Sequence, residues 1–523
     1  MMVVYSKRRH EVNAMQSVNR FVAKFASLIV TTLSCFDRVI FKGHLPFGDA
    51  PHLNSFVDYQ LKMLRKDFLP WLEQQSQRLV AHAQQIAQRQ NRPYLYLQGK
   101  QRKEKLIQDL IRRDKLSEGL VAVLCAMETC RTIKLKHAQG RPELTFTYRP
   151  QRVLYYYRLD PQFGLMYLRL QTWFPYTLQV YVNGHDWLAR QMARRKLGFI
   201  QCDNAFTQLD NPQQAQQIAD EFISLDWRGQ LDRWAREINP LLKDDWLGSY
   251  YWVIDQAEYS TDVLFASRQK LAGLYPRLLD HATVHLSAAD ILTFLGRKLH
   301  GNFQGEVLTD CKKDRAPGAR VKHRVKNNWL KMYDKFGQIL RIETVINQPR
   351  EFRVRRRRAR NGRQQMVWCP MNKGVANLYQ YRRVAHAANE RYLTALSVVD
   401  NPTVAYRQVE HLARPKVAGG RSYAGFNPAR REHAELFRAL LDGKHQINGF
   451  RNADIRRALY PNVQAAQSCH RLRAHLGRVF RQLHVRGLLA KVPRTRRWRV
   501  TPHGQQSLGT VVRLYYHGLA TAA

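Results

Sequence analysis

The stretch VKHRVKNNWLKMYDKFGQILRIETVIN, residues 321 to 347, decides how the rest of the chain is read. Leu340, Ile342, Thr344 and Ile346 alternate with Ile339, Arg341, Glu343 and Val345. That period of two marks a strand. Asp334 to Gly337 supply a turn and the residues up to Tyr333 a preceding strand, so the stretch predicts a β-hairpin. One side of the second strand can face a core, and the other sets Arg341 beside Glu343. A loop of three or five residues adds Trp329, Lys331 and Tyr333 to that second side. A loop of two or four breaks the grouping, and the register stays open at this point. A tyrosine, a carboxylate and positive charge on one sheet face suit phosphodiester chemistry. They equally suit a salt-bridged sheet face. Tyr333, Glu343, Lys331 and Arg341 are therefore the candidate catalytic set.

Positive charge surrounds this hairpin. Arg320, Lys322, His323, Arg324 and Lys326 lie just before or at its start, and RRRRARNGR follows at 355 to 363. The chain carries 85 Lys and Arg against 41 Asp and Glu, a net charge of +44 over 523 residues. Such an excess points to a polyanionic partner whose counterions are released on binding. Double-stranded DNA is the expected partner. Arg355, Arg356, Arg357 and Arg358 are candidate contacts, as are Arg297 and Lys298 in the basic loop GRKLHGNFQG. A hydrophobic fraction of 45% with 11% aromatics supports folded domains rather than global disorder. The longest apolar run, FASLIVTTLSCF at 25 to 36, is too short to span a bilayer. No membrane partner is expected, and the N-terminus lacks a signal-peptide pattern. A cytoplasmic, nucleoid-associated protein is expected, of open oligomeric state. Seven scattered cysteines without a CxxC pair read as reduced buried thiols rather than a zinc site.

The expected fold class is α+β: a helical N-terminal region, a mixed antiparallel-sheet core and a C-terminal winged helix-turn-helix. Residues 1–140 form the helical region, with an amphipathic helix over 54–90 interrupted at Pro70 and a partner helix over 101–128. Within this region FDRVIFKG reads as a strand. Its Asp37 could serve as a metal ligand of an RNase-H-like nuclease, or hold a turn or salt bridge. Residues 141–365 form the α+β core with the central hairpin. LTFTYRPQRVLYYYRLDPQFGLMYLRLQTWFPYTLQVYVNG supplies at least three strands, rich in β-branched and aromatic residues. A helix follows over HDWLARQMARRKLG, capped by Asn183 or Asp186, and another over 288–298 is capped by Ser287. Residues 366–430 are a helical connector and linker.

Residues 431–510 read as three helices followed by a strand, a basic turn and a strand, with Asn452 capping the second helix and Gly443 ending the first. That order matches the winged form of the helix-turn-helix. The third helix would enter the major groove with Arg471, Arg473, His475 and Arg478. Arg494, Arg496 and Arg497 would form the wing tip against the backbone or minor groove. No Asp or Glu occurs after Asp454.

Metal chemistry has one further foothold. YYWVIDQAEYSTDVLF, 251 to 265, holds Asp255, Glu258 and Asp262 in a chain poor in acids. As hard oxygen donors they are candidate ligands for Mg or Mn, if the protein is catalytic. On a strand Asp255 would face away from the other two; on a helix all three would share one face. The alternative is that they offset neighbouring arginines. No phosphate-binding loop, GxSxG or HExxH occurs.

The blocks FDRVIFKGHL, GHDWLARQM, FLGRKLHGNFQ, KMYDKFGQILRIETVIN and GFRNADIRRAL, with the KVPRTRRWRVT wing, resemble an uncharacterised bacterial protein family. That resemblance implies membership over most of the chain and no activity. Locally, KMYDK followed by LRIET is similar to a strand pair of rolling-circle replication initiators, in which a tyrosine attacks a DNA phosphate. This similarity implies Tyr333 as nucleophile and Glu343 as metal ligand. The chain departs from that pattern in having no His-hydrophobe-His pair. The combined expectation is a DNA-binding protein of mobile-element or replication-initiator type; whether it also nicks or transfers strands with a metal stays open at this point. Alternatives are a non-catalytic winged-helix regulator or architectural protein, and an RNA-binding protein stacking bases on the aromatic strands at 154–181.

Overall fold

The computed structural model describes residues 19–46, 49–98, 101–138, 141–244, 246–297, 307–312, 319–360, 363–399, 409–442, 445, 449–463, 466–493 and 495–518. The fold mixes helices with one large sheet. Its strands are β1 (Ile29–His44), β2 (Tyr94–Tyr96), β3 (Gly119–Ala138), β4 (Arg141–Asp160), β5 (Gly164–Gln171) and β6 (Leu178–Asn183). A small hairpin, β7 (Phe199–Cys202) and β8 (Ala205–Leu209), stands apart. Then come β9 (Tyr251–Phe265), β10 (Val307–Lys312), β11 (Arg320–Val325), β12 (Asn328–Lys335) and β13 (Ile339–Ile346). The sheet order is β10-β11-β12-β13-β9-β1-β6-β5-β4-β3-β2. Among the described residues only the short β2–β3 pair is parallel.

The first strand of the chain thus lies mid-sheet, and this corrects the helical N-terminal region. Phe68–Arg89 is a helix, with Pro70 in its first turn where a missing N–H costs nothing. The helix expected over 101–128 stops at Arg113, and Gly119 begins a twenty-residue strand. The run LVAVLCA, 120–126, is apolar without helical spacing, and it is buried on both sides inside the sheet. One face of the sheet carries Phe36, Val39, Phe41, Leu340 and Ile342 into the main core. Helices Phe68–Arg89, Pro212–Glu221 and Leu378–Leu396 close over that face.

The hairpin register follows from its loop. Phe336, Gly337 and Gln338 are its three residues, Phe336 and Gly337 both left-handed with φ of 60° and 76°. Lys331 then pairs with Glu343, and Tyr333 with Arg341. Lys331, Tyr333, Arg341 and Glu343 therefore share one face, as a three-residue loop requires. This second face is not solvated: β13 is buried along its whole length. The opposite side of the sheet is a polar interior here.

Two strands, β14 (Arg353–Arg360) and β15 (Arg363–Pro370), form a ribbon beyond β13, so the expected core boundary at 365 falls inside a strand. A second hydrophobic cluster gathers Leu412, Phe426, Phe437, Phe450, Leu476, Leu483 and Val511. Its helices are Arg431–Leu440, Asn452–Leu459, Ala466–Val485 and Pro502–Arg513, with paired strands Leu489–Lys491 and Trp498–Val500. Asn452 is the first residue of its helix rather than the cap. Arg451 precedes it, its N–H donating to Asp454 Oδ2 at 2.8 Å. The segment expected as linker is also structured. It holds the paired strands Lys416–Ala418 and Arg421–Tyr423, and Arg486 donates to the carbonyls of Arg414 and Ala424. Among the described residues no helix is long and apolar enough to cross a membrane.

Candidate carboxylate centre on the sheet

Four adjacent strands, β12, β13, β9 and β1, build the site. On β13 and β9, Glu343 stands opposite Ser260, Arg341 opposite Asp262, and Val345 opposite Glu258. Glu258 and Asp262 therefore lie on the Tyr333 face. On β1 the register slips between Phe36 and Arg38, which pair with Tyr259 and Glu258. Asp37 is the extra residue of a β-bulge. Such a bulge re-aims a side chain that strict alternation would place elsewhere. The result brings carboxylate oxygens of Asp37, Glu258 and Glu343 all within 4.8 Å of one another.

The bulge is pinned from the helix Gly184–Arg194. Asn183 caps it, accepting from the N–H of His185 at 2.8 Å. Gly184 lies so close to β1 that a Cβ there would sit 2.1 Å from the Phe36 carbonyl oxygen. This contact sets His185 Nδ1 3.1 Å from Asp37 Oδ1. Asn204 donates to the same Asp37 oxygen at 2.6 Å. Burial opposes ionisation of Asp37, but the close His185 imidazole and the Arg341 charge outweigh it and hold its carboxyl below the usual range.

Arg341 is fully buried and spends its fork on Asp262, Nε to Oδ1 at 2.6 Å and Nη2 to Oδ2 at 2.7 Å. Nη2 also donates to the Asn204 carbonyl at 2.6 Å. Burial works against the Asp262 charge and Arg341 for it, with a net displacement below the usual value. This buried pair removes Asp262 from the candidate metal ligands and ties up most of Arg341. Arg341 Nη1 alone has no hydrogen-bond partner, and it lies 3.8 Å from Asp37 Oδ1.

Glu343 is nearly inaccessible and holds two hairpin groups. Lys331 Nζ approaches Oε1 at 2.5 Å, and the Tyr333 hydroxyl donates to Oε2 at 2.6 Å. Lys331 Nζ is also 3.9 Å from Glu258, which Arg38 grips at 2.7 Å. Burial and the neighbouring Glu343 charge push the Glu258 carboxyl up to about 7. Burial and Glu343 likewise drive the Tyr333 phenol well above its ordinary value.

The arrangement thus joins Tyr333, Glu343, Lys331 and Glu258 and adds Asp37, Arg38 and His185. Of these three, sequence reading singles out only Asp37, and that for a different fold. Asp255 is left out of the cluster, since it sits at a second slip in the β1–β9 register and faces Gln179 at 3.5 Å. Arg355 and Arg357 are exposed on the ribbon, while Arg356 donates to Cys369 Sγ at 2.9 Å. Arg297 is paired with Glu351 at 3.0 Å. Arg471, Arg473, His475 and Arg478 are exposed on the helix Ala466–Val485, and Arg496 is exposed between the two short strands. Arg497 is half-buried and donates to the Gly449 carbonyl at 3.1 Å. Lys298, Arg494, Gly443 and the Arg358 side chain lie outside the described residues. In comparisons with protein-family models, curated proteins and solved structures, the chain matches none.

Proposed function

We propose that the protein is a metal-dependent DNA-processing enzyme that breaks a phosphodiester bond at the carboxylate centre. The observation that carries this reading is the convergence of Asp37, Glu258 and Glu343 around one point, with the Tyr333 hydroxyl at its edge. Carboxylates brought together in a buried place repel one another, and burial first and the Glu343 charge second raise the Glu258 carboxyl. A hard divalent cation, Mg or Mn, relieves it and suits oxygen ligands. Arg341 Nη1, buried 3.8 Å from Asp37 Oδ1, has no hydrogen-bond partner and is a second polar group that could take a water or phosphate oxygen.

In this reading Asp37, Glu258 and Glu343 would hold the cation, which would supply Lewis-acid polarisation of the scissile phosphate. Tyr333 passes its proton to Glu343 and attacks phosphorus. A Tyr–O–P bond forms as the P–O bond to the leaving nucleoside breaks, and the leaving oxygen takes a proton from solvent. Lys331 now bridges Glu343 and Glu258, and it would turn to the phosphate once a cation takes that place. This matches the tyrosine of the rolling-circle initiators, with carboxylates standing in for the absent histidine pair.

The C-terminal helices and paired strands serve, on the same proposal, as a winged helix-turn-helix that selects duplex DNA. Arg471, Arg473, His475 and Arg478 face solvent on its third helix, and no acid follows Asp454 to oppose them. A second, non-catalytic reading draws on Lys331, which already neutralises Glu343 as a structural ion pair would.

The test is incubation of the purified protein with labelled single- and double-stranded DNA and RNA, with and without Mg²⁺ or Mn²⁺. Nicked DNA and a covalent adduct that require metal support the enzyme. Salt-sensitive binding to duplex with no cleavage supports the regulator, and preference for RNA overturns both.

A further inference from the structure

The arginine run at 353–358 does not present itself evenly. Each strand of the β14–β15 ribbon has eight residues, so the ribbon extends roughly 27 Å at ~3.4 Å per residue. Arg353 pairs with Pro370, Arg355 with Trp368, and Arg357 with Met366. Residues opposite one another share a face, and the face alternates along each strand. One face therefore gathers Arg353, Arg355, Arg357, Met366 and Trp368. All five are exposed, Met366 at 51% and Trp368 at 62%. The Arg355 guanidinium lies 6.0 Å from the Trp368 ring centroid. The other face holds Val354 and Cys369, which are buried at the ribbon's base. Residues 352 to 370 contain no Asp or Glu.

An exposed tryptophan and methionine among arginines, on a face no other element covers among the described residues, call for a partner that is both anionic and able to meet apolar side chains. We infer that the arginine-tryptophan face of the ribbon docks into the major groove of duplex DNA. A groove about 12 Å wide admits a two-stranded ribbon and offers phosphates at its rims and thymine methyls on its floor. Phosphates meet the arginines; base edges and methyls meet Met366 and Trp368. This inference rests on the nucleic-acid reading above but not on the carboxylate centre, and it separates the arginines that sequence alone treats as equivalent.

The test compares two substitutions that change charge identically at neighbouring positions. Met366→Glu places a carboxylate on the docking face, and Gln365→Glu places one on the opposite face, exposed in the same strand. Anisotropy of a labelled 25-base-pair duplex is read with the full-length protein in EDTA, so cleavage plays no part. Met366→Glu is expected to weaken binding about tenfold or more and Gln365→Glu by no more than about twofold, since only the first disrupts the fit to the groove. Met366→Leu keeps the apolar side chain and should bind as wild type. Dimethyl sulfate footprinting should show guanine N7 positions protected by wild type but not by residues 409–518 alone, and these should be freed by Met366→Glu. Equal weakening by the two glutamates, or protection of adenine N3 in the minor groove instead, overturns the docking assignment while duplex binding by wild type keeps the broader reading. Wild type that binds neither duplex nor single strand overturns both.

Discussion

The Tyr333 hydroxyl donates to Glu343 Oε2 at 2.6 Å, although Tyr333 is paired with Arg341 and Glu343 with Lys331. The contact is diagonal across the hairpin, within reach of long side chains on one face of an antiparallel pair. It places a proton acceptor against the candidate nucleophile. Tyr333→Phe should abolish covalent capture of a labelled DNA strand on a denaturing gel. Duplex affinity should stay within about twofold, because the removed hydroxyl reads no base edge. Undiminished adduct in the variant rejects Tyr333 as the attacking group.

The Glu258 carboxyl gives the centre a pH signature. Its folded value of about 7 exceeds the ordinary 4.5, so the folded state favours its protonated form. The stability this contributes is full below about 4.5 and is lost as pH rises through about 7. Glu258→Gln removes that dependence, so its Tm should exceed wild type more at pH 8 than at pH 6. A divalent cation competes with the proton, so Mn²⁺ should raise the wild-type Tm more at pH 8 than at pH 6 and should do little for Glu258→Gln. Parallel pH profiles of wild type and variant, or no Mn²⁺ effect at pH 8, reject the site.

The buried Arg341–Asp262 pair predicts a different response. Removing either partner strands a charge in the interior, so Arg341→Leu or Asp262→Leu should each cost about 3–5 kcal/mol in urea unfolding. The double substitution should cost less than the sum, by roughly 1–3 kcal/mol, because neither charge is then left alone. Additive losses would mean that Arg341 acts chiefly through Asn204 and Asp37 rather than through Asp262.

The hairpin is legible in the sequence because its strands alternate strictly and Phe336-Gly337 offers a left-handed turn. The face shared by Tyr333 and Glu343 is not, since it depends on whether the loop holds two, three or four residues. Asp37 shows a deeper limit. Alternation along FDRVIF says nothing of a bulge, so its meeting with Glu258, 221 residues later, leaves no local trace. His185 reads as an ordinary helix start until Gly184 is seen against Phe36. The 120–126 segment misleads for a simpler reason: an apolar run buried on both faces carries no period to tell strand from helix.

The C-terminal module extends beyond the bounds its helices suggest. Leu412 and Phe426 lie upstream of residue 431, and Val511 lies beyond 510, yet all three belong to its hydrophobic cluster. Arg486 is 3% exposed and donates to the carbonyls of His411, Arg414, Tyr423 and Ala424. A fragment of residues 431–510 removes all four acceptors and leaves a buried guanidinium unpaired, a loss of several kcal/mol for so small a core. Residues 409–518 should therefore unfold in one cooperative transition by circular dichroism, and residues 431–510 should not. Within the longer fragment, Arg471→Ala and Arg473→Ala should erode preference for the selected duplex, by ~1–3 kcal/mol for each base-reading arginine removed. Arg496→Ala should weaken all duplexes alike and lower the salt slope by about one. A folded 409–518 fragment that ignores duplex DNA would leave this module as a docking unit for the sheet domain, consistent with Gly509 lying against Val284 and His285.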